Sequence, residues 1–164
     1  MTIILKNKVT LKFDDFYFKC SIGKKGLTKK KIEGDKKTPI GTFSLGNLYY
    51  RPDRNLKPLT KLRCIKITKV MGWCDDIKSK KKYNKLINVS QKVRHEKLYR
   101  KDHKYDLMIV INYNNKKTKI GKGSAIFLHL TKNYRPTAGC IALKKKDFLI
   151  LSKLINKKTK IKIT

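Results

Sequence analysis

Cys140 and His129 are the two side chains of this sequence best suited to covalent chemistry together. They sit in one stretch, Ser124 to Leu143, which opens as an apolar run around the histidine. It breaks into a polar loop at Lys132 to Pro136, recovers at Thr137-Ala-Gly-Cys140 and turns apolar again. A thiol beside a glycine, with an imidazole one loop away, is what acyl transfer through a thioester requires. Cys140 is the candidate nucleophile and His129 its base, and the amides around Gly139 and Cys140 form a cradle for an oxyanion. A free thiol ionises near about 8.5, so only a few per cent is thiolate at neutral pH, and a neighbouring imidazolium lowers that value. Gly139 lets the backbone approach a substrate closely. Thr137 is placed to donate its hydroxyl to a tetrahedral intermediate or to close the turn. The ordinary readings stand beside these: Cys140 as a small buried hydrophobe, and His129, between Leu128 and Leu130, as a satisfied core side chain.

The elements that must position this pair can be read from periodicity. Residues 3–22 alternate with period two and predict a hairpin turning at Asp14-Asp15, with Val9, Leu11 and Phe13 on one face and Phe16 and Phe18 together. Basic residues 29–31 read as a solvated loop. Gly34 to Gly41 is a structured connection in which Asp35 caps a turn and Pro39 extends Thr38, leading into a strand over Thr42–Leu45. Residues 47–63 read as a polar, aromatic insertion bordering a groove, with Tyr49, Tyr50 and Arg51 as candidate contacts. A strand over Leu62–Thr68 follows. Trp73 either anchors its loop to the core, the preferred reading, or walls the pocket, while Asp75 or Asp76 is a candidate partner for a substrate ammonium. Tyr83–Ile87 suggests a helical turn and His95–Lys101 a short helix. Arg100 is the best available cation for a substrate carboxylate, and His103 and Tyr105 are candidates for lining the site. Leu107–Tyr113 and Ser124–Leu130 read as neighbouring buried strands. Lys144–Ile155 reads as a helix burying Phe148, Leu151, Leu154 and Ile155, and Lys158–Thr164 as a closing strand.

At 164 residues the chain predicts one domain over 1–164, with a core of its own. No apolar run is long enough for a transmembrane segment, and Met1 to Lys8 is too short in its apolar part for a secretory signal. The net charge is +32, from 43 basic and 11 acidic residues. Such a surface attracts anionic polymers diffusely. Only six of the basic residues are arginines, and no helix-turn-helix, RNP or zinc-finger pattern is present, which argues against specific nucleic-acid recognition. Cys20, Cys64, Cys74 and Cys140 have no C-x-x-C spacing and make no zinc pattern with His95, His103 and His129. Cys20 and Cys64 read as core thiols.

Two motifs carry a resemblance. His129 followed by Thr137-x-Gly139-Cys140-hydrophobic resembles the active-site signature of the L,D-transpeptidase catalytic domain (YkuD-type) family, a histidine, a loop, then Ser/Thr-x-Gly-Cys. Upstream, Gly34-Asp-Lys-Lys-Thr-Pro-Ile-Gly-Thr-Phe43 is similar to the family's G-D-x-x-T-P-x-G-x-F/Y segment. Met71 to Asp75, His95 to Asp106 and Gly121 to Phe127 look like a compact single-domain bacterial subgroup, and the resemblance runs from about residue 15 to residue 155. It implies a mainly β fold, a small mixed β-sandwich with a few short helices. It also implies peptidoglycan stem peptides as donor and acceptor, no cofactor and no metal. The base would be oriented by a backbone carbonyl beside it, at Leu130. Three departures stand out: Ala138 where the family commonly has His, Ala142 where it commonly has Arg or Asn, and a shorter loop between His129 and Cys140. Two alternatives remain: an L,D-carboxypeptidase or amidase on the same scaffold, and a non-catalytic polyanion-binding domain. A wall substrate would place the protein in the periplasm or cell envelope.

Overall fold

The computed structural model describes residues 1–164. Its main sheet has nine strands and is closed on itself. The first three are β1 (Thr2–Lys6), β2 (Thr10–Phe13) and β3 (Phe16–Ser21). The hairpin turns at Asp14-Asp15 as the alternation predicts, with Phe13 opposite Phe16 and Asp14 at φ 49°. Leu11, Phe13 and Phe18 are buried, whereas Val9 and Phe16 are exposed. Val9 precedes the strand, and Phe16 lies at the turn, beyond the reach of the core.

After the short pair β4 (Leu27–Thr28) and β5 (Thr38–Pro39), β6 (Gly41–Tyr50) runs ten residues. It is longer than the sequence pattern suggests because it serves two partners. Its first half pairs with β14 (Lys160–Ile163) and its second with β11 (Leu107–Ile111), and the latter pairing closes the sheet. Tyr49 and Tyr50, expected to border a groove, therefore end a strand and are buried. Arg51 is buried too, forked onto Asp53 and donating to Arg100 O at 2.7 Å. β7 (Cys64–Lys66) flanks β6.

The order β11, β12 (Phe127–Leu130), β13 (Ile141–Leu143), β3 sets the centre of the site. Along β11 and β12 alternate side chains enter two separate cores. Leu107, Ile109, Ile111, Leu128 and Leu130 join the larger, built around Phe13, Leu48 and Phe148. Met108, Val110 and Phe127 join the smaller, with Trp73, Tyr105 and Cys140. Burial on both faces explains the unbroken apolar runs. The helix α1 (Lys145–Leu154) is the only one, and it packs Phe148 and Leu151 onto the larger core.

A second sheet orders β10 (His95–Lys97), β8 (Met71–Cys74) and β9 (Leu86–Asn88). It overturns the helix expected over His95–Lys101, because those residues pair edge-on with Gly72, Trp73 and Cys74 and have no apolar stripe to bury as a helix. Tyr83 and Asn84 likewise lie in a turn, and the helical turn expected over Tyr83–Ile87 is replaced by the start of β9. The strand expected over Ser124–Leu130 begins only at Phe127, since Ala125 takes φ 52°. No helix is long and apolar enough to cross a membrane.

Candidate active site

The sheet puts His129 and the residue before β13 on one face. β12 and β13 run parallel, with His129 opposite Ala142, so Cys140 lies two residues back along the adjacent strand and projects to the same side. Both line a cleft of about 590 Å³, and both are nearly enclosed, His129 at 6% and Cys140 at 7% exposure. No group of three or more His, Cys, Asp or Glu side chains is arranged to hold a metal ion.

The imidazole is oriented by its own strand. His129 Nδ1 lies 2.9 Å from Leu130 O, which can only accept, so Nδ1 carries the proton and Nε2 keeps its lone pair. The ring also meets Tyr105 edge-on, with centroids 5.3 Å apart. Burial, with Leu130 O opposing it and Lys104 and Arg100 adding to it, brings the imidazole down to about 4. The thiol is held by polar backbone. Cys140 Sγ donates to Ala125 O at 3.2 Å and accepts from Phe127 N at 3.4 Å. Burial pushes the thiol up to about 12, with Glu96 adding to the rise and Phe127 N–H and Lys31 opposing it. The resting pair is therefore a neutral thiol and a neutral imidazole, without the imidazolium that would have lowered the thiol. No hydrogen bond joins the two side chains: the thiol bonds Ala125 O and Phe127 N, and the imidazole bonds Leu130 O.

The turn that presents Cys140 is built from Thr137, Gly139 and a residue a hundred positions upstream. Thr137 Oγ1 donates to Cys140 O at 2.6 Å and accepts from Gly139 N at 3.1 Å, so it closes the turn and has no hydrogen to offer an intermediate. Gly139 takes φ 144°, and a Cβ there would stand 2.9 Å from Lys37 O. Thr38 is fully buried; its Oγ1 donates to Gly139 O at 2.8 Å and accepts from Gly23 N at 2.9 Å. The Gly34–Phe43 segment, whose Gly34 to Gly41 part reads from sequence as a structured connection, thus braces the cysteine turn. Asp35 caps its loop as expected, accepting from Ile32 N and Lys37 N.

Asn84 is the hub that sequence reading missed. Its Oδ1 accepts from Trp73 Nε1 and from Ala125 N, and the two hydrogens of its Nδ2 are shared among Tyr113 O, Asn114 O and Asn115 Oδ1. It thereby holds Ala125 in the left-handed conformation that aims its carbonyl at Cys140. Nothing around Asn84 in the sequence announces this, because its partners come from β8 and from two distant loops. Glu96 was also missed. It lines the cleft and accepts from Tyr105 OH at 2.6 Å, and burial raises its carboxyl against that hydrogen bond. Lys31, expected on a solvated loop, is buried at 5% exposure, paired with Asp35 and in the cleft wall.

Of the remaining candidates, Arg100 and Tyr105 line the cleft and His103 and Trp73 do not. His103 Nε2 lies 2.9 Å from Thr131 O and pins the loop instead. Trp73 packs edge-on against Phe127, with centroids 5.2 Å apart, and serves as the anchor. Arg100 is forked onto Asp102, which the hydrogen bond from Arg100 holds down to about 2 despite its partial burial. Asp75 lines the cleft but is paired with Arg94, and Asp76 caps Lys78 N. Cys20 is a buried core thiol as expected, whereas Cys64 is only half-buried, and all four cysteines are free.

Comparison with known proteins bears on the family and the fold. The family model for the L,D-transpeptidase catalytic domain matches residues 1–163. No curated protein sequence matches the chain. The chain is similar in structure to the helical cell shape determining protein Pgp2 from Campylobacter jejuni, with a TM-score of 0.56 and 19% identity. A single-residue mutant of Pgp2 gives a TM-score of 0.55, also at 19% identity. In both, the alignment covers 99% of this chain and 46% of that one, so the chain spans about half the length of those proteins, and at such identity the likeness concerns the fold alone. The family model, which runs through both sequence motifs and nearly the whole closed sheet, makes the chain a member of the L,D-transpeptidase catalytic domain (YkuD) family.

Proposed function

We propose that the protein is a cysteine acyltransferase acting on peptidoglycan stem peptides by L,D-transpeptidation, with Cys140 as nucleophile and His129 as general base. The observation that carries this reading is the shared face: His129 on β12 and Cys140 just before the adjacent β13, two residues back from His129's partner Ala142, both lining one cleft. Family membership supplies the substrate class.

Because the resting pair is neutral, the proton must move as the bond forms. Substrate entering the cleft displaces the thiol from Ala125 O. Sγ then attacks the carbonyl between the L-centre of the diamino acid and the terminal D-alanine, and the S–H proton passes to His129 Nε2. The carbonyl electron pair moves onto oxygen. When it returns, the C–N bond breaks and the imidazolium gives its proton to the leaving D-alanine amine, and a thioester remains on Cys140. An acceptor amine from a second stem attacks the thioester, loses a proton to His129 and expels the sulfur, which recovers that proton. The product is a new amide cross-link. Nδ1–H stays on Leu130 O throughout and holds the tautomer. The cationic rim of Arg100, Lys104, Lys132 and Arg135 favours the carboxylates of the stem peptide.

The test is intact mass after treatment with a carbapenem or a tetrapeptide donor. The wild type gains one acyl adduct, located to Cys140, and Cys140→Ala gains none while keeping its fold. An undiminished adduct in Cys140→Ala rules the reading out. Product analysis then separates the acceptors: cross-linked dimer for transpeptidation, tripeptide alone for an L,D-carboxypeptidase.

A further inference from the structure

The cysteine turn is one donor short of the oxyanion cradle that its sequence suggests. An acyl-transfer site needs preorganised donors where the carbonyl oxygen becomes negative. Gly139 N–H is occupied by Thr137 Oγ1, which leaves Cys140 N–H as the amide of that pair without a partner in the chain. The residue before the glycine, Ala138, has no side-chain donor to add.

Lys31 stands where the missing donor is needed. Its chain leaves the loop before Asp35 and crosses Gly123, where a Cβ would come within 2.6 Å of Lys31 Cγ; only glycine leaves room for it. Its Nζ reaches the cysteine turn, 3.7 Å from where a Cβ on Gly139 would be. The ammonium has three hydrogens. One is committed to Asp35 Oδ1 and one to Ile32 O at 3.2 Å, and the third has no partner in the chain. A buried ammonium held on two sides, with its free hydrogen at the cleft wall, is a fixed dipole rather than a mobile surface charge. Asp35 is itself fixed by Ile32 N–H and Lys37 N–H, so the lysine cannot swing away without breaking a network.

We propose that Lys31 is a catalytic hydrogen-bond donor that stabilises the negative oxygen formed when Cys140 attacks, acting with Cys140 N–H. This rests on the acyl-transfer reading above. A charged donor is worth more than a neutral amide. Its charge also reaches the thiol, where it opposes the effect of burial.

The experiment compares wild type, Lys31→Met and Lys31→Arg as they react with a carbapenem, by acylation rate and by the carbonyl stretch of the Cys140 thioester in difference infrared spectra. Loss of one such donor slows acylation by roughly 10²–10³-fold. It also moves the thioester carbonyl to higher wavenumber, and Lys31→Arg restores most of both. A merely structural role would change the rate without moving the stretch. Lys31→Met/Asp35→Asn removes both charges of the ion pair together and gives the same two readouts should Lys31→Met fail to fold. A normal adduct whose carbonyl does not shift in either variant overturns the role of Lys31 alone. Absence of any Cys140 adduct in the wild type overturns the acyl-transfer reading and this role with it.

Discussion

The imidazole and the thiol are held by two different kinds of structure. His129 sits within β12, a strand buried on both faces, with Leu128 and Leu130 in one core and Phe127 in the other. Cys140 sits just outside β13, on a turn whose geometry depends on hydrogen bonds from Thr137, Thr38 and, through Ala125, Asn84. Apolar packing is tolerant of small shifts and contributes most to stability. Buried polar networks contribute less stability but fix directions, and they fail when one member is lost. The protein thus anchors its base by burial and aims its nucleophile by hydrogen bonds.

Substitutions in the two regions sharpen or break that contrast. Leu128→Ala, in the fully buried larger core, should destabilise by about 3 kcal/mol in chemical denaturation. The folded fraction should still acylate within a few-fold of wild type in stopped-flow assays. Asn84→Ala should cost about 2.5 kcal/mol, since it strands buried donors at Trp73 Nε1 and Ala125 N. It should also slow acylation more than tenfold, because Ala125 loses the partner that holds its carbonyl. If Leu128→Ala slows acylation as much as Asn84→Ala does, the division of labour is wrong.

A pH dependence follows from the buried imidazole. The unfolded side chain takes up a proton near its ordinary 6.5, the folded one only near about 4, so acid favours the unfolded chain between those values. Stability present above 6.5 should fall by on the order of 3 kcal/mol as pH drops through that window, and denaturation of His129→Gln should show a flatter acid limb. The smallest change is Thr38→Val, which removes two hydrogen bonds from the cysteine turn at similar volume. A loss of about 1 kcal/mol is expected, with a drop in acylation rate larger than the loss of folded protein explains. An unchanged rate would mean the turn holds its shape without the upstream segment.

Much of the strand half was legible in the sequence, and much of the turn half was not. The hairpin at Asp14-Asp15 and the helix over Phe148 and Leu151 announce themselves by local periodicity, and the buried strands around Ile109 and Leu128 by their unbroken apolar runs. Strand pairing does not, which is why His95–Lys97 reads as helix until its partner Trp73 is known. The candidate nucleophile and base were readable from residue type and motif. Lys31, Thr38 and Asn84 were not, because their partners lie across the fold: Thr38 reaches Gly139, and Asn84 reaches residues 113–115 and 125. A lysine among lysines gives no hint that it alone is buried, and the high charge of the chain hid it.

The pairing of β6 with β11 has a further outcome. A ring of strands has no loose end where an error in alignment can be let out, so sliding one strand past its neighbour would demand compensation all the way round. The offset between Ala142 and His129 is therefore fixed by the circumference of the whole barrel and not by the two strands that carry them.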